Sequence, residues 1–133
     1  MIQDSRKKIK SFTDLRVWQE GHKLVILVYK TTEGFSRKET YSLVDQMRRA
    51  VTSVTSNIAE GFGRHTFKEK IQFYYQAQGS LTELKNQILI ARDVGYLAPD
   101  NSCFSDLVEQ ANSVHRLLQG LITKSKSFVS RKS

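Results

Sequence analysis

The segment Gln46–Gly63 constrains the fold of this chain more than any other, because it reads as one helix with two differently built faces. Met47, Ala50/Val51, Val54 and Ile58 recur at three- and four-residue steps and form an apolar stripe. Gln46, Arg49, Ser53, Ser56/Asn57 and Glu60 recur at the same steps on a neighbouring face. That second stripe is polar but built largely from small residues. A face that meets only water does not limit side-chain size and is usually filled with Lys, Glu and Gln. Small polar residues suit close backbone approach or a hydrogen-bonded contact with another helix, so the spacing predicts a helix packed on two sides.

Helical periodicity continues on both sides of this segment. Leu15, Trp18, Val25 and Val28/Tyr29 mark helix one, starting near Thr13 or Asp14. Gly21 and His22 interrupt its stripe, and Gly34, a residue free to take positive φ, marks its stop. Ser36-Arg37-Lys38-Glu39 has the form of a capping box for helix two, which ends at Gly61 or Gly63. Thr66-Phe67-Lys68-Glu69 is a second such box, opening a helix that Ile71, Tyr74/Tyr75, Leu81, Leu84, Ile88 and Ala91 carry to Gly95. Helix four starts near Ser102 or Ser105 and runs along Phe104, Leu107/Val108, Ala111, Val114, Leu118 and Leu121/Ile122. Connections this short force antiparallel neighbours, which predicts an all-α, up-and-down antiparallel four-helix bundle. Helices two and three, at roughly 25–30 residues, reach about 40 Å. So elongated a bundle has much lateral surface and favours self-association.

Charge is concentrated at the ends of the chain. The formal net charge is +8, with +3 in residues 1–10, +4 in 123–133, and only +1 in the body between them. This divides the chain into a basic, flexible arm at 1–11, a bundle at 12–122 and a basic, flexible tail at 123–133. Arg6, Lys7, Lys8 and Lys10 in the arm and Lys124, Lys126, Arg131 and Lys132 in the tail are candidates for binding a polyanion. Keeping an oligomer soluble is the other reading of the same charges. Arg37, Lys38, Arg48, Arg64, Lys68 and Lys70 are the matching candidates on the body. Arg49 and Arg64 lie four residues after Asp45 and Glu60, a spacing that also suits intrahelical ion pairs. Asn57 and Glu60 are placed to tie the turn between helices two and three. Only one of the adjacent Tyr74 and Tyr75 can face the core, which leaves the other for a subunit contact or for stacking on an unpaired base. Trp18 reads as a core anchor.

Catalytic chemistry finds little to work with. His22, His65 and His115 fall on different elements without a carboxylate or cysteine at ligand spacing, so no metal or cofactor is expected. Gly61-Phe62-Gly63 lacks the strand and the Lys-Ser/Thr pair of a phosphate loop and reads as a helix end. Ser53 and Ser56 have no histidine partner. One cysteine, Cys103, gives no internal disulfide and suits a reducing compartment. No apolar run approaches the roughly 18–20 residues of a membrane span, and the N-terminus has no secretory h-region. The expected location is cytoplasmic.

Gln46-x-x-Arg49-Ala50, followed by Ser53-x-x-Ser56-Asn57-Ile58-Ala59-Glu60-Gly61 and Arg64, resembles the signature of the four-helix-bundle proteins encoded in intervening sequences of bacterial 23S rRNA genes. Phe12-x-Asp14-Leu15-x-Val17-Trp18-Gln19 resembles the opening helix of that family. Gly79-Ser80-Leu81-x-Glu83-Leu84 and Gly95-Tyr96-Leu97 resemble its third helix and that helix's end. The likeness covers Phe12 to Ile122, with Ser36 standing where relatives often carry a proline. It implies a ring-like homo-oligomer, most naturally a homopentamer, with Gln46, Arg49, Ser53, Ser56, Asn57, Glu60 and Gly61 as structural or interface residues. It also implies a noncatalytic accessory role like that of related proteins in diversity-generating retroelements, which bind RNA and a reverse transcriptase. The expected partners are therefore further copies of the chain, RNA or DNA, and a protein such as a reverse transcriptase. One alternative is a protein-interaction scaffold in which nucleic-acid contact is secondary.

Overall fold

The computed structural model describes residues 8–36 and 40–132. It contains four helices, α1 Arg16–Glu33, α2 Asp45–Phe62, α3 Phe67–Asp93 and α4 Ser102–Lys132, and the described residues include no strand. Each helix packs on its neighbour in sequence, and α1 closes the bundle against α4. Directions follow from pairs at both ends. Phe67 stacks on Phe128 while Arg92 meets Phe104, so α3 and α4 are antiparallel. Ser53 meets Ser80 and Gly61 meets Tyr74, so α2 and α3 are antiparallel too.

The core follows the periodicity of the sequence. Leu24, Met47, Ile58, Leu81, Leu84, Ile88, Leu107, Leu118 and Ile122 are fully buried, and each such side chain contributes about 1.5–3 kcal/mol relative to exposure. The interruption at Gly21 has a steric cause. Gly21 is buried against α2, and a Cβ there would lie 3.0 Å from the Thr55 methyl.

Several boundaries differ from the sequence expectations. Ser11, not Thr13 or Asp14, begins the first element, capping a 3-10 turn at Phe12–Asp14 reciprocally with Asp14. Gly34 and Gly63 end α1 and α2 at φ −81° and −78°, right-handed values that require no glycine. Among described residues, only Gly95 has positive φ, at 90°, where α3 turns and the Tyr96 and Leu97 amides return to the Ala91 carbonyl. The proposed box at Ser36–Glu39 falls mostly outside the described residues. A π-helical stretch, Thr40–Val44, leads instead into α2, which is 18 residues long rather than 25–30. Thr66 Oγ1 does accept from the Glu69 amide, at 3.2 Å, at the start of α3. Asn101 caps α4, its Oδ1 accepting from the Cys103 amide at 2.7 Å.

The largest difference is at the C-terminus. The basic composition after Ile122 predicts a flexible tail, yet α4 continues to Lys132. The inward spacing itself carries on: Ser125 is buried and returns its hydroxyl to the Leu121 carbonyl at 2.7 Å, and Phe128 stacks on Phe67 at 4.7 Å.

Helices α2 and α3 meet closely at Gly61, where a Cβ would lie 2.6 and 2.9 Å from the buried Tyr74 ring and 3.1 Å from Phe73 Cβ. Gly61→Ala should lower stability by about 1–2 kcal/mol, because overpacking outweighs the gain in helix propensity. Gly79 lies in the exposed middle of α3 with nothing within 4 Å of its Cβ position, so Gly79→Ala should stabilise by about 0.5–1 kcal/mol. Thermal unfolding of the two variants checks both signs. A Gly61→Ala protein as stable as the parent would contradict the packing described.

Candidate nucleic-acid interface

The end of the bundle that carries the α2–α3 turn is assembled by backbone constraints first. Gly61 lets Tyr74 settle against α2, and burial pushes the Tyr74 hydroxyl up to about 12, so it stays protonated. Lys70 Nζ then donates to the Phe62 carbonyl at 2.6 Å and to that of Gly61 at 3.4 Å. A cation on the last carbonyls of α2 satisfies orphan acceptors and opposes the negative end of the helix dipole. Burial holds the Lys70 ammonium pKa below its usual value. Lys70 is thus spent inside the fold.

Other expected cations divide by position. Arg48 sits toward the opposite end, donating through Nε to Thr32 Oγ1 at 3.1 Å with its guanidinium 4.7 Å from the Tyr29 ring centre. It joins α1 to α2 and stands apart from the turn. Arg64 pairs with Glu60 at 3.1 Å and lies 4.5 Å from the Phe73 ring centre. That pair is exposed, and such pairs contribute at most about 1 kcal/mol, so the guanidinium is readily redirected. Lys68 on α3 and Lys124 and Lys126 on α4 are exposed at the same end. The Lys126 ammonium is 5.0 Å from the centre of the Tyr75 ring.

Both basic termini lead to this end. Phe12 lines one depression with Arg64, His65 and Glu69, and exposed Lys8 and Lys10 precede Phe12 by four and two residues. Arg131 and Lys132 lie in the last turn of α4, although their side chains fall outside the described residues. Arg6, Lys7, Arg37 and Lys38 also lie outside them. Arg64, Thr66, Lys68, Glu69, Gln72 and Phe73 line a second depression. A third runs between α3 and α4, with Lys68, Gln72, Tyr75, Gln76 and Lys126 over an apolar floor of Ile71 and Val129. Sequence alone leaves Tyr74 or Tyr75 open as a stacking surface but does not reveal the groove, because the basic composition around Lys126 reads as a flexible tail. The signal was present in the spacing Ile122, Ser125, Val129.

The small polar stripe of α2 is split by the structure. Ser53 and Ser80 hydroxyls meet at 2.8 Å, and Asn57 Nδ2 donates to the Ser53 carbonyl and hydroxyl at 2.9 and 3.1 Å. With Gly61, Ser53 therefore serves contact within the chain, between α2 and α3. Asn57 braces Ser53 rather than the turn, and Glu60, through Arg64, is the residue that reaches across it. Gln46 and Ser56 face outward, as does Arg49, paired with Asp45 at 2.9 Å.

The histidines remain apart. His22 stacks on Trp18 at 4.8 Å, which leaves Trp18 a half-buried anchor at the edge of the core, and His65 is exposed. Burial and then the nearby Lys85 charge lower the pKa of His115. No three His, Cys, Asp or Glu residues converge among the described residues, and no described helix is long and apolar enough to cross a membrane.

No curated protein matches the chain. Among solved structures, a protein of unknown function from the S23 ribosomal protein family of Bacteroides thetaiotaomicron is similar, with a TM-score of 0.71 at 16% identity. The match covers 80% of this chain and 97% of that one, and at this identity it speaks for the fold alone. The family model described as 23S rRNA-intervening sequence protein matches residues 13–120. The chain belongs to the 23S rRNA-intervening sequence protein family.

Proposed function

We propose that this protein is a noncatalytic, cytoplasmic nucleic-acid-binding module, with RNA as its ligand, that works as a ring-like homo-oligomer. The observation that carries the reading is the gathering of Arg64, Lys68, Lys124 and Lys126 from two helices and a turn at one end of the bundle. Phosphate backbones are bound by such clusters through counterion release, without a need for base readout. Assembly strengthens the effect, because each added copy brings another +8 and turns weak contacts into a multivalent one.

Two apolar patches support the ring. Ile26 and Tyr29 are exposed on α1, and Leu89 and Ile90 on α3 with Val94 just past its end; α1 and α3 each pack against α2 and α4. Different patches on separate helices favour head-to-tail contact, which closes into a ring when the rotation allows. The α3 patch also favours the second reading, a scaffold that docks a protein such as a reverse transcriptase, since exposed apolar clusters mark protein contacts.

Two measurements test this. Light scattering should give a mass several times 15.3 kDa, with fivefold expected, and Val94→Asp should reduce it; a monomer at micromolar concentration would refute the ring. Affinity for mixed-sequence RNA should fall steeply with salt. Lys68→Glu should weaken it and flatten the log–log salt slope by roughly 0.7–1. Lys30→Glu, the same charge change at the far end of α1, should do much less. Absence of binding at low salt would eliminate the nucleic-acid reading and leave the scaffold.

A further inference from the structure

The groove between the first half of α3 and the last turns of α4 combines features that a phosphate patch does not need. Lys68, Gln72, Tyr75 and Gln76 follow one another on a single face of α3 at helical spacing. Lys126 and Val129 close the groove from α4. Tyr74 is in the core at 2% exposure, whereas the adjacent residue Tyr75 is 43% exposed. The wall that carries Lys126 is fixed, because Phe128 stacks on Phe67 and Ser125 is buried one residue before Lys126. An aromatic face thus stands between cations on two rigid helices, with amide side chains beside it.

We propose that this groove accepts an unpaired nucleobase on the Tyr75 ring, with Lys68 and Lys126 on the flanking phosphates, so that the protein prefers single-stranded to duplex nucleic acid. The inference rests on the nucleic-acid reading above and adds the class of strand. Base–aromatic stacking is tolerant of sequence, since every base has a π-face, and it is closed to bases already stacked in a duplex. Lys126 does not block it. A surface cation–π contact is weaker than a base–aromatic stack, so a base can take the place of the ammonium on the ring. Gln72 and Gln76 offer donors and acceptors to base edges, without the fixed bidentate pattern that would select one base.

Fluorescence anisotropy with an unstructured RNA, a DNA of the same sequence and a duplex, all at one low salt concentration, tests the idea on the full chain. Single strands of both sugars should bind tighter than duplex. Tyr75→Ala should weaken single-strand binding on the order of tenfold and leave duplex binding unchanged, and Tyr75→Phe should keep the preference. Circular dichroism and light scattering establish that fold and assembly persist in the variants. A second measurement uses the unaltered protein: an oligonucleotide carrying 5-iodouracil, irradiated in complex, should crosslink to the peptide containing Tyr75. Equal affinity for single strands and duplex, with Tyr75→Ala without effect, would overturn this inference while leaving the nucleic-acid reading intact. An assembly that falls apart on Tyr75→Ala, with no crosslink at Tyr75 in the parent, would make Tyr75 a subunit contact and overturn it too. Failure of the parent to bind any of the three ligands would remove both readings together.

Discussion

The contact between Gly61 and the Tyr74 ring is the constraint on which the arrangement of the basic end depends. Without a Cβ, the last turn of α2 can meet the ring of α3 directly, and Ser53 and Ser80 then come within hydrogen-bonding distance farther along the same interface. Once α3 is held at this register, Lys70 reaches back to the carbonyls that end α2, and the short turn from Gly63 to Thr66 fixes where Arg64 and Lys68 emerge. Phe67, the first residue of α3, in turn receives Phe128 and fastens the end of α4 beside it. One missing methyl group thus sets the placement of cations that lie far apart in sequence.

Those cations differ in what they can do because they differ in what they already do. Lys70 and Arg48 are committed to carbonyl and hydroxyl oxygens within the bundle, and moving Lys70 would take from the part-buried Phe62 carbonyl its donor. Arg64 is held by an exposed ion pair, which salt and a competing phosphate both weaken, and by a surface contact with the Phe73 ring. Lys68, Lys124 and Lys126 project from helices rather than from loose chain. A charge on a rigid helix loses less freedom on binding than one on a flexible tail, so the helical end of α4 makes the same residues better ligands for a fixed array of phosphates.

Much of this was legible in the sequence, and the exceptions have physical causes. The stripe Met47, Ala50/Val51, Val54, Ile58 gave the buried face of α2, and the Asp45–Arg49 and Glu60–Arg64 spacings gave the ion pairs that form. The division of Tyr74 and Tyr75 between core and surface also followed from adjacency on a helix. Glycine was harder to read, because its two uses leave the same letter: Gly34 looked like a positive-φ cap and is right-handed, while Gly61 looked like a helix end and is a point of close approach. Composition misled at the C-terminus, where four cations in eleven residues suggested disorder although Ser125 and Phe128 kept the helical register. The partner of the Ser53 stripe could not be read at all from one helix. Its small side chains required some close neighbour, and only the fold shows that neighbour to be α3.

The central claim is that nucleic acid meets the bundle at the end built from the α2–α3 turn and the last turns of α4. Hydrogen–deuterium exchange of the full chain, with and without an unstructured RNA oligonucleotide at low salt, measures this most directly. The account predicts added protection concentrated in residues 64–76 and 123–129, with residues 89–94, which carry the exposed Leu89, Ile90 and Val94, unchanged. Protection confined to α1 or to 89–94, with the turn and the end of α4 exchanging as in the free protein, would contradict it.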